Sequence, residues 1–280
     1  MCRVSLLVSH EAYFCVSIAV ESCHNSRMEP LPLNNDFEPL ARPKPGVLIA
    51  VEGIDGAGKT TQVEFLERVL IKIGVAFTRS KEPTDGIWGR KVRESAKNGR
   101  LPLAEELEAF VEDRKEHLRD KIFPALRAGH VVVLDRYFYS TIAYQGSRGG
   151  DLDAIAKQMR EFAPEPDVVL LLDVPAGVGI SRVADSRGDT PNAFEQKGAL
   201  EAARRAFLDL AATSKNVAKI DASPDVKTVS RRVFDVLFDG VMKEKYCAKP
   251  WGCDELICGY RFNRECSFVE FRALAYKLLK

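Results

Sequence analysis

Short, nearly continuous apolar runs alternate along this chain with longer segments whose apolar residues recur at helical spacing. The runs are Val47 to Glu52 (VLIAVE), Val75 to Arg79, His130 to Leu134, Val168 to Val174 and Val217 to Ile220. The first is apolar at nearly every position, which suits a strand covered on both faces of its sheet. Between the runs, Gln62 to Ile73, Ala199 to Ala212 and Lys227 to Phe238 carry the spacing of helices with one apolar face. Strand alternating with helix predicts an α/β fold: a five-stranded parallel sheet with helices on both faces, binding at the carboxyl ends of its strands. No repeat at a solenoid period is visible.

The pattern starts at Gly46 and fades near Val241, which predicts one domain over residues 46–241 between short N- and C-terminal extensions. In residues 1–45, Val4 to Val20 is moderately apolar, but His10 and Glu11 interrupt it and only Arg3 precedes it as a basic residue. That is a poor match to a secretory signal. Met28 and the Pro-containing run Glu29 to Pro45 read as an alternative start and a poorly ordered linker. Residues 242–280 read as an appendage whose Cys247, Cys253, Cys258 and Cys266 are spaced C-x5-C-x4-C-x7-C. Four thiolates could close around zinc, although the spacing lacks a paired C-x2-C and better suits buried or free thiols.

Composition narrows the function classes. A chain of 280 residues that is 46% hydrophobic and 29% charged can bury a full core. With 41 Lys and Arg against 40 Asp and Glu, it has no basic field for wrapping nucleic acid. No apolar run approaches the roughly 20 residues that a membrane helix needs. Seven cysteines are too sparse for a disulfide scaffold, so reduced thiols in a cytoplasmic protein are expected.

The chemistry enters directly after the first run, where Gly53-Ile54-Asp55-Gly56-Ala57-Gly58-Lys59-Thr60 fits G-x-x-x-x-G-K-[ST] between a strand and a helix. Glycines let the turn curl until successive N–H groups point into one concavity, and the helix aims its positive end at the same place. Lys59 then faces outer phosphates, and the Thr60 hydroxyl suits a magnesium ion bridging them. Asp135-Arg136 follows an apolar run and so falls at a strand's carboxyl end, where Arg136 suits a phosphate; a salt bridge between the two residues is the alternative. Phe110 and Arg114 share a helix face one turn apart, which permits stacking on a base. Taken alone they read rather as a core aromatic and a solvated charge.

These motifs, with Lys81-Glu82-Pro83-Thr84-Asp85-Gly86 and Tyr144-Gln145-Gly146, come in an order that resembles the thymidylate kinase family of P-loop nucleoside monophosphate kinases, over roughly Gly46 to Val241. The resemblance implies a P-loop NTPase three-layer fold, ATP and Mg2+ as cofactors, dTMP as acceptor, and a homodimer. It implies a donor site of Gly53, Gly56, Ala57, Gly58, Lys59, Thr60 and Thr61 with Arg182. For the acceptor site it implies Asp55, Glu82, Phe110, Arg114, Arg136, Thr141 and Tyr144, with Asp55 on the sugar 3'-hydroxyl and Tyr144 where a 2'-hydroxyl would be. Asp55, Lys59, Asp135, Arg136 and Arg187 are implied at the reacting centre, with Thr60 and Asp135 at the metal.

Gly56 stands where some relatives carry Arg, so the compensating charge is expected from a lid between Gly179 and Glu195. Two departures stand out: Thr190 to Glu195 lacks a further Asp-Arg that many relatives carry, and Lys81 replaces Arg before Glu-Pro, a point charge where a fork would be. A kinase for another pyrimidine nucleotide or a deoxynucleoside, and a non-catalytic nucleotide-dependent binding module, are the alternative functions.

Overall fold

The structure, a computed structural model, describes residues 46–72, 74–187, 196–246 and 276–277. The expectations for residues 1–45, for the four C-terminal cysteines and for the lid segment from residue 188 to Glu195 lie outside the described residues. Strands β1 (Val47–Glu52), β2 (Phe77–Lys81), β3 (Val131–Asp135), β4 (Val168–Asp173) and β5 (Val217–Asp221) form one sheet in the order β2-β3-β1-β4-β5. Every pairing is parallel. The central strand earns its place by composition: Val47 to Val51 are at most 5% exposed, because helices cover both faces.

Helix α1 (Lys59–Lys72) buries Val63, Leu66, Val69 and Leu70 at three- and four-residue spacing. It ends where Gly74, at φ 83°, turns left-handed, its N–H bonding Ile71 O while that of Val75 reaches back to Leu70 O. This is the paired cap in which the residue after the glycine tucks its side chain inward. Val75 is apolar for that reason, and the second strand begins at Phe77, two residues later than its apolar run predicts.

Helices α2 (Ile87–Asn98) and α3 (Leu103–His117) follow, α3 passing through a π-turn at Leu118–Ile122 into α4 (Phe123–Arg127). Helices α5 (Phe138–Gly146) and α6 (Leu152–Arg160) come after β3, α7 (Ala176–Arg187) after β4, and α8 (Lys197–Thr213) before β5. After β5, α9 (Val226–Asp239) runs into α10 (Val241–Tyr246), whose Met242 is fully buried. Tyr276 lays its ring edge-on to Phe234 of α9 at 6.5 Å and donates a hydrogen bond to Asp235.

Two features fix the carboxyl end of β1. Glu52 is fully buried there, its carboxylate accepting from Tyr137 N at 2.8 Å, Ser140 N at 3.2 Å and the Ser140 hydroxyl at 2.6 Å. It thereby caps α5 from the neighbouring strand. Burial raises its pKa to about 7 against the opposing pull of Ser140, Arg136, Tyr137 and Lys59. The second feature is a backbone contact: a Cβ on Gly56, at φ 77°, would lie 2.1 Å from Gly179 O of α7, and a Cβ on Gly179 would lie 2.4 Å from Asp55 O. The loop after β1 and the second turn of α7 therefore touch main chain to main chain.

Two outcomes follow from this packing. Gly179→Ala should destabilise the domain by about 1–3 kcal/mol and weaken nucleotide binding, since the methyl must displace the loop; denaturant unfolding and nucleotide titration measure both. Glu52 holds its proton up to about pH 7 when folded but only to about 4.5 when unfolded, so it lowers stability progressively as pH rises between those values. Glu52→Gln should gain stability relative to wild type by about 2–3 kcal/mol between pH 5 and pH 8. A gap that stays flat across that range in thermal unfolding would contradict the assignment.

Candidate active site

The loop Gly53–Gly58 joins β1 to α1 at the point where the strand order reverses, the usual crevice of such a sheet. Lys59 is 6% exposed and its ammonium folds back to donate to Ile54 O at 2.7 Å. Burial and the Arg136 guanidinium pull its pKa down to about 8, against Asp55, Asp135 and Glu52. Thr60 at the start of α1 donates its hydroxyl to Asp135 Oδ2 at 2.5 Å. A hydroxyl and a carboxylate side by side are oxygen ligands suited to Mg2+, which takes few protein groups and fills its shell with phosphate and water. Among the described residues no cluster of three or more His, Cys, Asp or Glu offers an all-protein metal cage.

Arg136 follows β3 with φ 71°, the one non-glycine residue at positive φ among those described. Its N–H bonds Val51 O at 3.0 Å, so the strained residue is pinned to β1. The guanidinium reaches Asp55 Oδ1 at 2.6 Å, Ser140 Oγ at 3.1 Å and Gly53 O at 3.3 Å, and lies over the Tyr144 ring at 5.2 Å. Its ion pair is thus with Asp55 in the loop, not with the adjoining Asp135. Burial pushes the Asp55 carboxyl up, but Arg136, Lys59 and the Tyr144 hydroxyl, 3.0 Å away, outweigh it and hold the group below the ordinary carboxylate range. Burial and Asp55 in turn push the Tyr144 phenol up, so it remains a donor.

Phe110 and Arg114 stand one turn apart on α3 and line the same cleft. Arg114 is 1% exposed, and Glu82 accepts from its Nε at 2.9 Å and its Nη2 at 2.6 Å. Nη2 also donates to Thr141 Oγ1 at 3.0 Å and Nη1 to Met159 Sδ at 2.9 Å. Of the five N–H groups of a guanidinium, these contacts take four, which leaves one on Nη1. The other Glu82 oxygen meets His117 Nδ1 at 3.0 Å, so the Glu82 carboxylate is committed to holding Arg114. Burial pushes it up, but Arg114 and His117 overcome that and keep it ionised.

Sequence reasoning passed over three contributors. Gln145, fully buried and one turn after Thr141 on α5, also lines the cleft, and its Oε1 is the one buried side-chain polar atom without a hydrogen-bond partner among the described residues. Its place in Tyr144-Gln145-Gly146, four residues after Thr141, was the available signal. Arg93 of α2 also lines the cleft, tethered to Pro83 O at 2.8 Å and Asp85 at 3.0 Å. His117 left no signal, since its role is to hold Glu82.

The cleft has a volume of about 750 Å3 and runs from Phe110 and Arg114, past Arg136 and the loop with Ala57 and Thr61, to Pro224 and Val229 beyond β5. Arg182 of α7 stands at that far end and donates to Ala222 O at 2.9 Å and Ser223 O at 3.0 Å, so it ties α7 to the wall of the cleft. The side chain of Arg187 lies outside the described residues. One trough therefore joins an anion cradle, the guanidinium groups of Arg93, Arg114, Arg136 and Arg182, and a slot by Phe110 where, among the described residues, one Arg114 N–H and the Gln145 oxygen are unspent.

Residues 51–233 match the family model described as thymidylate kinase. The chain is 48% identical over 192 residues to the thymidylate kinase of Xanthomonas oryzae pv. oryzae (strain PXO99A), covering 69% of this chain and 83% of the relative. It is 47% identical over 192 residues to that of Xanthomonas campestris pv. campestris (strain B100), with the same coverage. To that of Xylella fastidiosa (strain M12) it is 47% identical over 184 residues, 66% of this chain and 83% of the relative. A family-model match over residues 51–233 and relatives at 47–48% identity show that the chain belongs to the thymidylate kinase family.

Proposed function

We propose that this chain transfers the γ-phosphoryl group of ATP, with Mg2+, to dTMP, yielding dTDP and ADP. The observation that carries the reading is the continuity of the trough: an acceptor seated against Phe110 and Arg114 has its phosphate at Arg136, next to the cradle that would hold the donor's phosphates. Family membership supports it, since the matched relatives are named thymidylate kinases. The Nη1 hydrogen left on Arg114 suits a base carbonyl, and the bare Gln145 Oε1 suits a ring N–H, the pair that a pyrimidine imide presents.

In the reaction an oxygen of the acceptor phosphate attacks the γ-phosphorus in line, and the bond from γ-phosphorus to the β,γ-bridging oxygen breaks as ADP leaves. Lys59 and the N–H groups of Gly53–Gly58 neutralise the donor side. Arg136 holds the acceptor's phosphate, joined by Arg93 from α2. When bound, Mg2+ supplies charge neutralisation across the outer phosphates, with Thr60 and Asp135 as its protein ligands. Asp55, kept ionised by its neighbours, accepts from the sugar 3'-hydroxyl. Tyr144, fixed on Asp55, occupies the space of a 2'-hydroxyl and so favours the deoxy sugar.

A panel of nucleoside monophosphates with ATP and Mg2+, read by ADP release, tests this directly: dTMP should be used well, and dCMP and ribonucleotides poorly. Absence of turnover with dTMP would reject the reading. Lys59→Ala should lower kcat/KM by about 10²–10³-fold. Arg136→Ala should raise the dTMP KM by about 10–100-fold with little change in that for ATP. An unchanged dTMP KM would indicate an acceptor without a phosphate.

A further inference from the structure

Deeper in the wall behind the base slot lies a second buried carboxylate. Glu106 of α3 is fully buried, one turn before Phe110. Its Oε1 accepts from Gln145 Nε2 at 2.8 Å and Arg100 Nη2 at 2.5 Å, and its Oε2 accepts from Arg100 Nε at 3.2 Å and from Arg148 Nη1. Arg100 comes from the loop before α3 and Arg148 from the turn after α5, so the carboxylate joins three segments.

N–H groups of two guanidiniums already point at both Glu106 oxygens, so the face it turns to Gln145 is a lone pair. That settles which way the Gln145 amide faces. If the amide turned over, its oxygen would stand 2.8 Å from Glu106 Oε1 in place of the nitrogen, acceptor against acceptor, and the NH2 would face the cleft. With Glu106 as it is, the nitrogen takes the Glu106 side, and the oxygen, without a partner among the described residues, is left for a ligand in the cleft that Gln145 lines. A thymine or uracil ring offers N–H beside a carbonyl and matches Gln145 oxygen and Arg114 N–H. A cytosine ring offers a bare nitrogen beside an amine and sets like against like at both points. The reversed amide would instead donate to cytosine.

We propose that Glu106, clamped by Arg100 and Arg148, is a positioning residue that selects imide bases by fixing the Gln145 amide. This deepens the reading of the site as a dTMP kinase and rests on it. The cost of mismatch is large because a site built around a hydrogen bond leaves buried groups unpaired with the wrong ligand.

The experiment compares kcat/KM for dTMP, dUMP and dCMP in the full chain and in Glu106→Gln, whose neutral side chain can donate as well as accept. The dTMP to dCMP ratio should fall by about tenfold or more in the variant, chiefly through KM, while the dTMP to dUMP ratio and the ATP KM stay within about threefold. A merely structural role would lower dTMP and dCMP use together, and an unchanged dTMP to dCMP ratio overturns the proposal. Should Glu106→Gln fail to fold, Arg148→Met loosens the clamp with the carboxylate in place, and the same fall in ratio, smaller in size, is required. In Gln145→Leu the ratio should fall alone, and adding Glu106→Gln should lower it no further; additive losses would show that Glu106 acts elsewhere. A wild-type chain that prefers dCMP to dTMP would overturn both readings, whereas a dTMP-preferring wild type with an unmoved ratio in the variant overturns only the role of Glu106.

Discussion

A side chain at positive φ costs of order 1–2 kcal/mol, and Arg136 meets that cost at the junction of β1, β3, α5 and the phosphate loop. What holds it there is its pairing with Asp55 at 2.6 Å, with its own N–H tied to Val51 O. The geometry delivers a guanidinium to the mouth of the loop from the neighbouring strand. In the same stroke it satisfies a carboxylate that would otherwise repel phosphate. Without the pair, Asp55 would be an uncompensated, half-buried anion inside an anion site, and Tyr144 would lose the acceptor that orients it.

The same device recurs behind other polar groups of the cleft. Behind Arg136 stands Glu52, which fixes the start of α5 through Tyr137 and Ser140. Behind Arg114 stands Glu82, itself held by His117, and behind Gln145 stands Glu106 with its two arginines. Buried carboxylates are costly unless each oxygen is hydrogen-bonded, and here each one is. Such groups add little net stability, but they leave the ligand-facing atoms a single orientation. A site that discriminates by hydrogen bonds needs that rigidity.

Glycine plays the corresponding part on the donor side. Gly56 and Gly179 let the loop and α7 approach main chain to main chain, with no room for a side chain at Gly56. An arginine at that place in the loop is excluded by contact distance. Any further positive charge for the transferring group has to come from another segment.

The sequence by itself determined the architecture and the cradle, because both rest on local rules. Short apolar runs such as VLIAVE, followed at once by glycines, suit central strands, and G-x-x-x-x-G-K-[ST] between strand and helix sets its own backbone. It also placed Phe110 with Arg114, since four residues along a helix is one turn. β2 starts two residues after its apolar run does, because Val75 is apolar in order to cap α1, a need that periodicity does not express. Which charge meets which was left to the tertiary structure: Arg136 with Asp55 and not Asp135, Glu82 turned toward Arg114, and Arg182 spent on Ala222 and Ser223. The reason is range. Partners separated by 81 residues, as Asp55 and Arg136 are, carry no mark of each other in the chain, and only the packing of β1 against β3 brings them within a hydrogen bond.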